Sequence, residues 1–431
     1  LNFIMKRVID FVAKYPVLIT ALVCVVFYFL PFKPKPFGDG DFHFGTIQLI
    51  EFIKNGFHGE IMINKGFLTL FCYLIPYGLV YSFHNDALYL FSGVAFSCVF
   101  VCLSIFYLFK AFTILGFSNQ SKAFTLLILC LFPIHVYYAM GIIGEIFAFF
   151  AVSVMIYFWV KINFSETSKT SDFVYLALAF VLLYGIKPTA LPFLIAFGLY
   201  ILFLSYTTKN KTIFLLTLTI IPLLILTEVK LDKNDNEFKK KVFRNQILWS
   251  RFELRDEPFN WLPQHGNDSF ASNDYKNNLR KRYELDSICL TNKYDRTQYY
   301  IKWVKDDIVN HPFITLRQYF LKFFQSQSFI ITPLMKSHKP VWFKYGIHIY
   351  INLINSILVI IGLITMYKLF KRKKWRFFIP ILLYWGSALV YVFLFHSEQR
   401  YMFPFRPMLI FLFAYYIANR NLIIDNKSFA K

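Results

Sequence analysis

Long apolar runs separated by short polar segments extend along most of the chain. Most runs approach the roughly 20 residues that a helix needs to cross a bilayer, and backbone groups in lipid must be satisfied within helices. No run alternates polar and apolar positions as a membrane β-barrel would require. The pattern predicts an all-α polytopic membrane protein with about 10–11 transmembrane helices. The predicted spans are 16–32, 87–109, 122–140, 142–160, 173–186, 188–206, 212–228, 345–370, 377–396 and 401–419, and a further run, 67–83, is ambiguous.

Basic residues predict the direction in which these helices run. Lys and Arg concentrate in cytoplasmic loops, and a basic N-terminus and several basic loops, such as 371–376, therefore belong inside. The span 87–109 must then run inward, so that 67–83 begins and ends outside as a re-entrant or interfacial segment. If 67–83 crosses the membrane instead, several basic loops fall on the outer side.

The same topology divides the chain into three parts. Residues 1–228 form an N-terminal transmembrane module, whose first outer loop, 33–86, lies beside the membrane. Residues 229–344 form a polar, soluble extracytoplasmic segment with charged pairs and turn signals, within which 297–324 could be helical. Residues 345–431 contain the C-terminal transmembrane helices.

Composition restricts the choice of cellular compartment and of partner classes. The 431 residues are 57% hydrophobic and 21% aromatic, and their net charge is +21. Much of the basic excess lies in loops between helices and no nucleic-acid-binding motif is present, so we expect membrane lipids as partners and no nucleic acid. The first helix lacks a cleavage site, and five of the six cysteines lie in apolar runs, which indicates neither a disulfide framework nor zinc. Abundant Phe, Ile, Lys, Asn and Tyr suggest an AT-rich genome and a bacterial plasma (inner) membrane.

The first outer loop carries the acidic motif Gly38-Asp39-Gly40-Asp41-Phe42-His43. A carboxylate here could act as the general base on an acceptor hydroxyl. Asp39, Asp41 and His43 could instead hold a divalent cation, or the motif could be a solvated turn. The apolar spacing of the following residues, 42–57, suits an amphipathic helix on the membrane surface.

Two further polar breaks open on the same predicted face. Glu145 begins a very apolar helix, where it is either a first-turn carboxylate favoured by the helix dipole or a second acid of an active site. Lys187 precedes Pro188, which disfavours helix at the residue before it. Its ammonium could reach toward the interface along the apolar surface, or it could neutralise a lipid-linked phosphate.

A tight hairpin near the C-terminus gathers His396, Glu398, Arg400 and Tyr401 on that face. Arginine grips phosphate with two parallel hydrogen bonds, so Arg400 is a candidate phosphate ligand, and Arg406 could share this role. The alternative is an ion pair with Glu398 inside the hairpin. Ionisable groups at one lipid–water boundary are costly to keep there without a function.

These motifs together resemble the GT-C superfamily of membrane glycosyltransferases, including the protein-mannosyltransferase and aminoarabinose-transferase relatives. The resemblance covers about residues 1–200 and 345–420, and it rests on the order of these motifs along the chain. The acidic motif follows the first helix, Glu145 follows a helix end with Pro and Tyr, and Lys187-Pro188-Thr189 and Arg400-Tyr401 follow in order. The chain departs from the family pattern in the glycines of its first motif, where Asp-Glu is frequent, and in Asn64-Lys65-Gly66-Phe67, where close relatives have a Pro-Pro-Leu-like stretch.

The resemblance implies a sugar donor linked to polyprenyl phosphate and a glycan, lipid or protein acceptor, with inversion at the anomeric carbon. Asp39 or Asp41 would be the general base, and Glu145 would position hydroxyl groups. Lys187 and Arg400 would stabilise the leaving phosphate, with His43, His396, Glu398 and Tyr401 as further substrate-binding candidates. This chemistry requires no cofactor or metal, although a divalent cation could take part. The alternatives are a polysaccharide polymerase or ligase, a lipid-linked sugar transporter or flippase, and a non-catalytic scaffold.

Overall fold

The computed structural model is almost entirely helical. It describes residues 2–29, 37–38, 40–58, 66–204, 210–231, 236–257, 272–328, 340–374, 377, 385–386 and 402–419. The chain divides into two compact units. The first comprises Leu1–Lys233, Ile357–Tyr384 and Phe403–Lys431, and the second comprises Asn234–Ser356 and Trp385–Met402.

The first half of the chain contributes twelve described helices and a pair of very short strands. The helices are α1 (Asn2–Lys14), α2 (Pro16–Phe29), α3 (Gly40–Lys54), α4 (Phe67–Val80), α5 (Asp86–Ile114), α6 (Asn119–Leu131), α7 (Ile134–Ala139), α8 (Glu145–Phe164), α9 (Thr170–Ile186), α10 (Leu191–Leu204), α11 (Asn210–Leu218) and α12 (Ile220–Leu231). The strands are β1 (Phe37–Gly38) and β2 (Gly141–Ile142).

The second half contributes six described helices. They are α13 (Asn236–Phe252), α14 (Asn273–Asn292), α15 (Arg296–Asn310), α16 (Pro312–Gln327), α17 (Val341–Lys371) and α18 (Arg406–Ala418). Short 3₁₀ turns precede or follow several helices, at Tyr81–Phe83, Pro188–Ala190 and Phe403–Phe405.

Within the described residues, four helical segments are long and apolar enough to cross a membrane. They are α5, α8, Asn210–Thr227 and α17, and α1 with α2 would make a fifth if this pair, bent by 85°, is one span. Shorter apolar helices lie at Phe67–Phe83, Thr170–Ile186, Leu191–Phe203 and Phe403–Ala418. The prediction of a helical chain with several long apolar helices is therefore confirmed, while the crossing of a membrane, the number of crossings and their directions stay predictions.

Two predicted helices are interrupted at prolines. The predicted span 122–140 is wrong as a single helix, because α6 ends at Leu131 and α7 begins at Ile134. Pro133 between them lacks the amide hydrogen that would continue the helix. The predicted segment 297–324 likewise consists of α15 and α16, and Pro312 is the first residue of α16, a position that proline favours.

Helix α8 forms the centre of the first unit. It packs against α5 and α9, and residues such as Phe147, Met155 and Trp159 are completely or almost completely buried. A helix that is apolar on all sides is stable only when it is surrounded, which explains its central position. The C-terminal part of α8 is tied to the start of α9 by an ion pair of 2.7 Å between Lys161 Nζ and Asp172 Oδ1.

The second unit contains a bundle of α13, α14 and α15. Its core consists of Leu248, Phe252, Leu285 and Tyr300. A second layer of contacts is polar. Arg251 binds Asp307 at 2.8 Å, and Lys322 of α16 lies 3.6 Å from Glu253, with all four side chains buried. Burial lowers the pKa of Lys322 to about 8, although the nearby Glu253 carboxylate opposes this shift.

Candidate active site

Glu145 and Lys187 lie in direct contact. The Lys187 Nζ atom is 3.3 Å from Glu145 Oε1, and each side chain is only 10% exposed. Forty-two residues separate the two positions, so it is the packing of α8 against the end of α9 that brings them together. The structure thus joins two of the polar breaks that the sequence singled out.

Local sequence explains why each charge stands at a helix end. Helix α9 ends at Ile186, and Lys187 has extended dihedral angles (φ −139°, ψ 81°) because the ring of Pro188 clashes with a helical conformation at the preceding residue. Glu145 is the first residue of α8, where the free amide groups and the dipole of the helix favour a carboxylate. Both charges are therefore fixed by backbone geometry.

The chain just before the acidic carboxylates reaches the same region through β1. Strands β1 and β2 pair in parallel, with Phe37 opposite Gly141 and Gly38 opposite Ile142. This pairing attaches the backbone just before Asp39 to the backbone three residues before Glu145. We call β1, residues 141–145 and Lys187 the junction.

Tyr73 of α4 holds the irregular backbone of the junction. Its hydroxyl group accepts a hydrogen bond from the Ile143 amide at 3.1 Å and lies 3.1 Å from the Ser97 hydroxyl of α5. Tyr73 is completely buried. A backbone amide buried without a partner would be costly, so this tyrosine stabilises the break between α7 and α8.

Glycines allow the start of α4 to approach the junction very closely. A β-carbon on Gly66 would lie 1.8 Å from the Ile186 carbonyl oxygen, and one on Gly185 would lie 2.4 Å from Leu68 Cδ1. A β-carbon on Gly144 would lie 2.6 Å from Thr69 Oγ1. Gly66 is therefore required by the contact between α4 and the end of α9, because the overlap there is with backbone, whereas a β-carbon on Gly144 or Gly185 would meet side-chain atoms.

His43 lies on α3, next to the acidic motif, and is buried. Its Nδ1 atom is 2.8 Å from the Tyr77 hydroxyl, and its Nε2 atom is 3.9 Å from Asp86 Oδ1. Burial lowers the pKa of His43 below its ordinary value, and the Asp86 carboxylate partly offsets this effect. A neutral imidazole at neutral pH suits hydrogen bonding, and His43 anchors α3 to α4 through its contact with the Tyr77 hydroxyl.

Several of the predicted site residues lie outside the described part of the chain. They are Asp39, His396, Glu398, Arg400 and Tyr401. Asp41 belongs to the first turn of α3, but its side chain is also outside the described set. Among the predicted residues whose side chains are described, the structure brings Glu145 and Lys187 into contact, and it directs His43 toward Tyr77 and Asp86.

Sequence reasoning missed the buried residues that support the site. Tyr73 and Ser97 lie in apolar runs, where a single tyrosine or serine gives no signal of a buried polar contact. His135 and Arg406 were also missed as neighbours. Together with apolar side chains they line a cavity of about 10 Å³, which is no larger than one water molecule needs. His135 and Arg406 are 271 positions apart, so no local sequence pattern could predict that they are neighbours.

A buried ion pair at the end of two helices offers both charges to a ligand. The lysine ammonium can bind a phosphate oxygen, and the carboxylate can accept hydrogen bonds from sugar hydroxyls. Within the residues described here, no group of three or more His, Cys, Asp or Glu side chains is placed to bind a metal ion.

Comparison with known proteins adds no family to this description. No family model, curated protein or solved structure matches the chain.

Proposed function

We propose that the protein is an integral membrane glycosyltransferase of the GT-C type, which transfers a sugar from a polyprenyl-phosphate donor to an acceptor outside the membrane. The observation that supports this proposal is the junction. There Glu145 and Lys187 are in contact at the ends of apolar helices, and β1, which ends one residue before Asp39, pairs with the strand just before Glu145. Ionisable groups gathered beside lipid in this way usually serve a substrate or an ion.

The proposed reaction is a single inverting displacement at the anomeric carbon. The acceptor oxygen forms a bond to this carbon while the bond to the phosphate oxygen breaks, and the electron pair leaves with polyprenyl phosphate. Asp39 or Asp41 takes the proton of the acceptor hydroxyl. Lys187 and Arg400 stabilise the negative charge that develops on the leaving phosphate.

The ion pair gives Glu145 a second role in this scheme. Its carboxylate holds the Lys187 ammonium at the end of α9 before the donor binds. The donor phosphate then competes for the same ammonium, which frees Glu145 to accept hydrogen bonds from sugar or acceptor hydroxyls. An ammonium already in position requires little reorganisation when charge develops on the phosphate.

The apolar helices support a reaction that takes place in a membrane. Four described helices have the length and composition to cross it, and a polyprenyl tail would lie among them. We propose a bacterial plasma membrane with the site on its extracytoplasmic face, because the basic loops should face the cytoplasm. The acceptor would be a glycan, a lipid or a protein.

A complementation experiment tests the reaction and its residues. Cells lacking the protein should lose one sugar from a surface glycan, measured by mass spectrometry, and the wild-type gene should restore it. We expect Asp39→Asn or Asp41→Asn to lower transfer by about 10²–10⁴-fold, because an amide cannot take the proton. Lys187→Met should lower it by about 10²–10³-fold, because one charge on the leaving group is then unmatched.

Glu51→Gln is the matched control, because Glu51 is an exposed carboxylate of α3, the helix that begins beside the acidic motif. It should restore the glycan fully. An unchanged set of surface glycans in the deleted cells would contradict the proposed activity. Full restoration by both aspartate variants would leave the activity intact but refute the assignment of the base.

A transporter or flippase of lipid-linked sugars is the second candidate, and the burial of the Glu145–Lys187 pair favours it, since buried ion pairs in membranes often mark a transport path. Reconstituted vesicles that contain undecaprenyl-phosphate-linked sugar but no acceptor distinguish the two. Movement of the sugar lipid between leaflets without an acceptor would favour transport, whereas release of undecaprenyl phosphate only with an acceptor favours transfer.

A further inference from the structure

A cavity in the second unit has the composition of an anion site. It has a volume of about 180 Å³ and lies between α13, α14 and α15. Each helix contributes residues three or four positions apart, which places them on one face. The residues that matter are Lys241 and Arg244, Arg282 and Asp286, and Arg296 and Tyr300.

Among the described residues that line this cavity, four are cations and Asp286 is the single acid. The Asp286 carboxylate already accepts a hydrogen bond of 3.1 Å from the Tyr300 hydroxyl. In the part of the chain that the structure describes, no acceptor forms a hydrogen bond or ion pair with the guanidinium of Arg282 or Arg296. Like charges that line one cavity repel one another, and an anion between them reduces that repulsion.

Buried, hydrogen-bonded side chains form part of the wall of this cavity. Arg244 is 6% exposed, and its Nη1 atom donates a hydrogen bond of 3.1 Å to Thr297 Oγ1 of α15. Glu237 lies 3.7 Å away from the same nitrogen, at the start of α13. Tyr300 is 1% exposed and also donates to the Arg282 carbonyl oxygen at 3.2 Å, which fixes α14 against α15.

We propose that this cavity binds a phosphoryl group. Two guanidinium groups match the oxygens of a phosphate in pairs, as no single lysine can. The volume is well above that of one water molecule and below the roughly 300 Å³ of pockets that enclose whole ligands. The cavity therefore suits the phosphorylated end of a larger molecule, either a lipid headgroup or a phosphorylated sugar. This proposal is independent of the glycosyltransferase proposal, because all its residues lie on α13, α14 and α15.

Calorimetric titration of the full chain in detergent with inorganic phosphate, at constant ionic strength in chloride, tests the proposal. We expect saturable binding at one site. Arg282→Gln and Arg296→Gln should each weaken binding by about tenfold or more, because each removes a charged hydrogen-bond donor. Arg280→Gln is the matched control, since Arg280 is an exposed arginine of the same helix α14 outside the cavity, and it should leave the affinity unchanged.

A second measurement uses the wild-type protein, so that it does not depend on the folding of variants. Phosphate should protect Arg282 and Arg296, but not Arg280, from modification by phenylglyoxal, as read by mass spectrometry. Equal binding in the wild type and both cavity variants, equal weakening by Arg280→Gln, or no selective protection would overturn the proposal.

Competition identifies the source of the phosphoryl group once binding is established. Glucose 1-phosphate and dihexanoyl phosphatidic acid are each titrated against bound phosphate. Stronger displacement by the sugar phosphate supports a phosphorylated glycan as the ligand, and stronger displacement by the lipid supports a headgroup. Failure of both to displace phosphate would contradict the proposal that the cavity takes the end of a larger molecule.

Discussion

Glu145 and Lys187 form a buried ion pair in which each charge stabilises the other. Each side chain is 10% exposed, so that either charge alone would be poorly solvated. We expect Glu145→Gln and Lys187→Met each to cost about 3–5 kcal/mol of stability, because each removes one charged partner of a buried ion pair. The double variant should recover most of this loss, since no charge is left. The midpoint of thermal unfolding in detergent measures all three variants.

Measuring how well the same variants restore the surface glycan shows whether the Glu145–Lys187 pair only stabilises the fold or also acts on substrate. If the charges also act on substrate, the stable double variant remains inactive, whereas a purely structural pair would give full activity. The ion pair between Lys161 and Asp172, at the other ends of α8 and α9, is the matched control. Lys161→Met should lower stability but leave transfer by the surviving folded protein unchanged. Single variants of Glu145 and Lys187 as stable as the wild type would contradict the argument.

At the scale of elements, the contact between α4 and the end of α9 depends on glycine. A β-carbon on Gly66 would overlap the Ile186 carbonyl oxygen, whereas one on Gly78, within α4, meets nothing within 4 Å. Gly66→Ala should therefore push α4 away from Lys187 and lower the thermal midpoint and transfer together. Gly78→Ala, the control on the same helix, should raise stability by about 0.5–1 kcal/mol, because alanine favours helix. Equal effects of the two substitutions would contradict the close contact.

The sequence predicts the long apolar elements well and the irregular ones poorly. The predicted span 87–109 is found within α5, and 345–370 within α17, because apolar runs of that length have few other solutions in lipid. The pairing of β1 with β2 involves only two residues in each strand. A segment this short has no hydrophobic periodicity from which a strand could be predicted. Pro133 could have predicted the end of α6.

The candidate site likewise contains residues that the sequence predicts and residues that it does not. Glu145 and Lys187 stand out in the sequence because charge in an apolar context is rare, but their contact depends on how α8 packs against α9. Tyr73 gives no such signal, because a tyrosine in an apolar run is ordinary, and only the fold shows that its hydroxyl group binds the Ile143 amide. Residue type therefore indicates candidates, and tertiary packing decides which of them meet.

At the scale of the whole molecule, the proposed function requires the first loop and the second unit to face outside. Single cysteines at exposed positions test this with a membrane-impermeant maleimide. Asn55→Cys and His84→Cys, on either side of α4, and Lys302→Cys on α15 should be labelled in intact cells. Gln120→Cys in the first turn of α6 and Glu166→Cys between α8 and α9 lie near basic residues that should face the cytoplasm, so both should be labelled only after permeabilisation.

The two positions that flank α4 decide how the segment Phe67–Phe83 lies. This segment is shorter than the roughly 20 residues of a typical span, and it contains Pro76. A re-entrant or interfacial segment returns to the side from which it started, so Asn55→Cys and His84→Cys should react alike from outside. Labelling of one of them only after permeabilisation would show that the segment crosses. In that case the chain segments that contain β1 and β2 would lie in loops on opposite sides of the membrane, which conflicts with their pairing. The assignment of the site to the outer face would then fail.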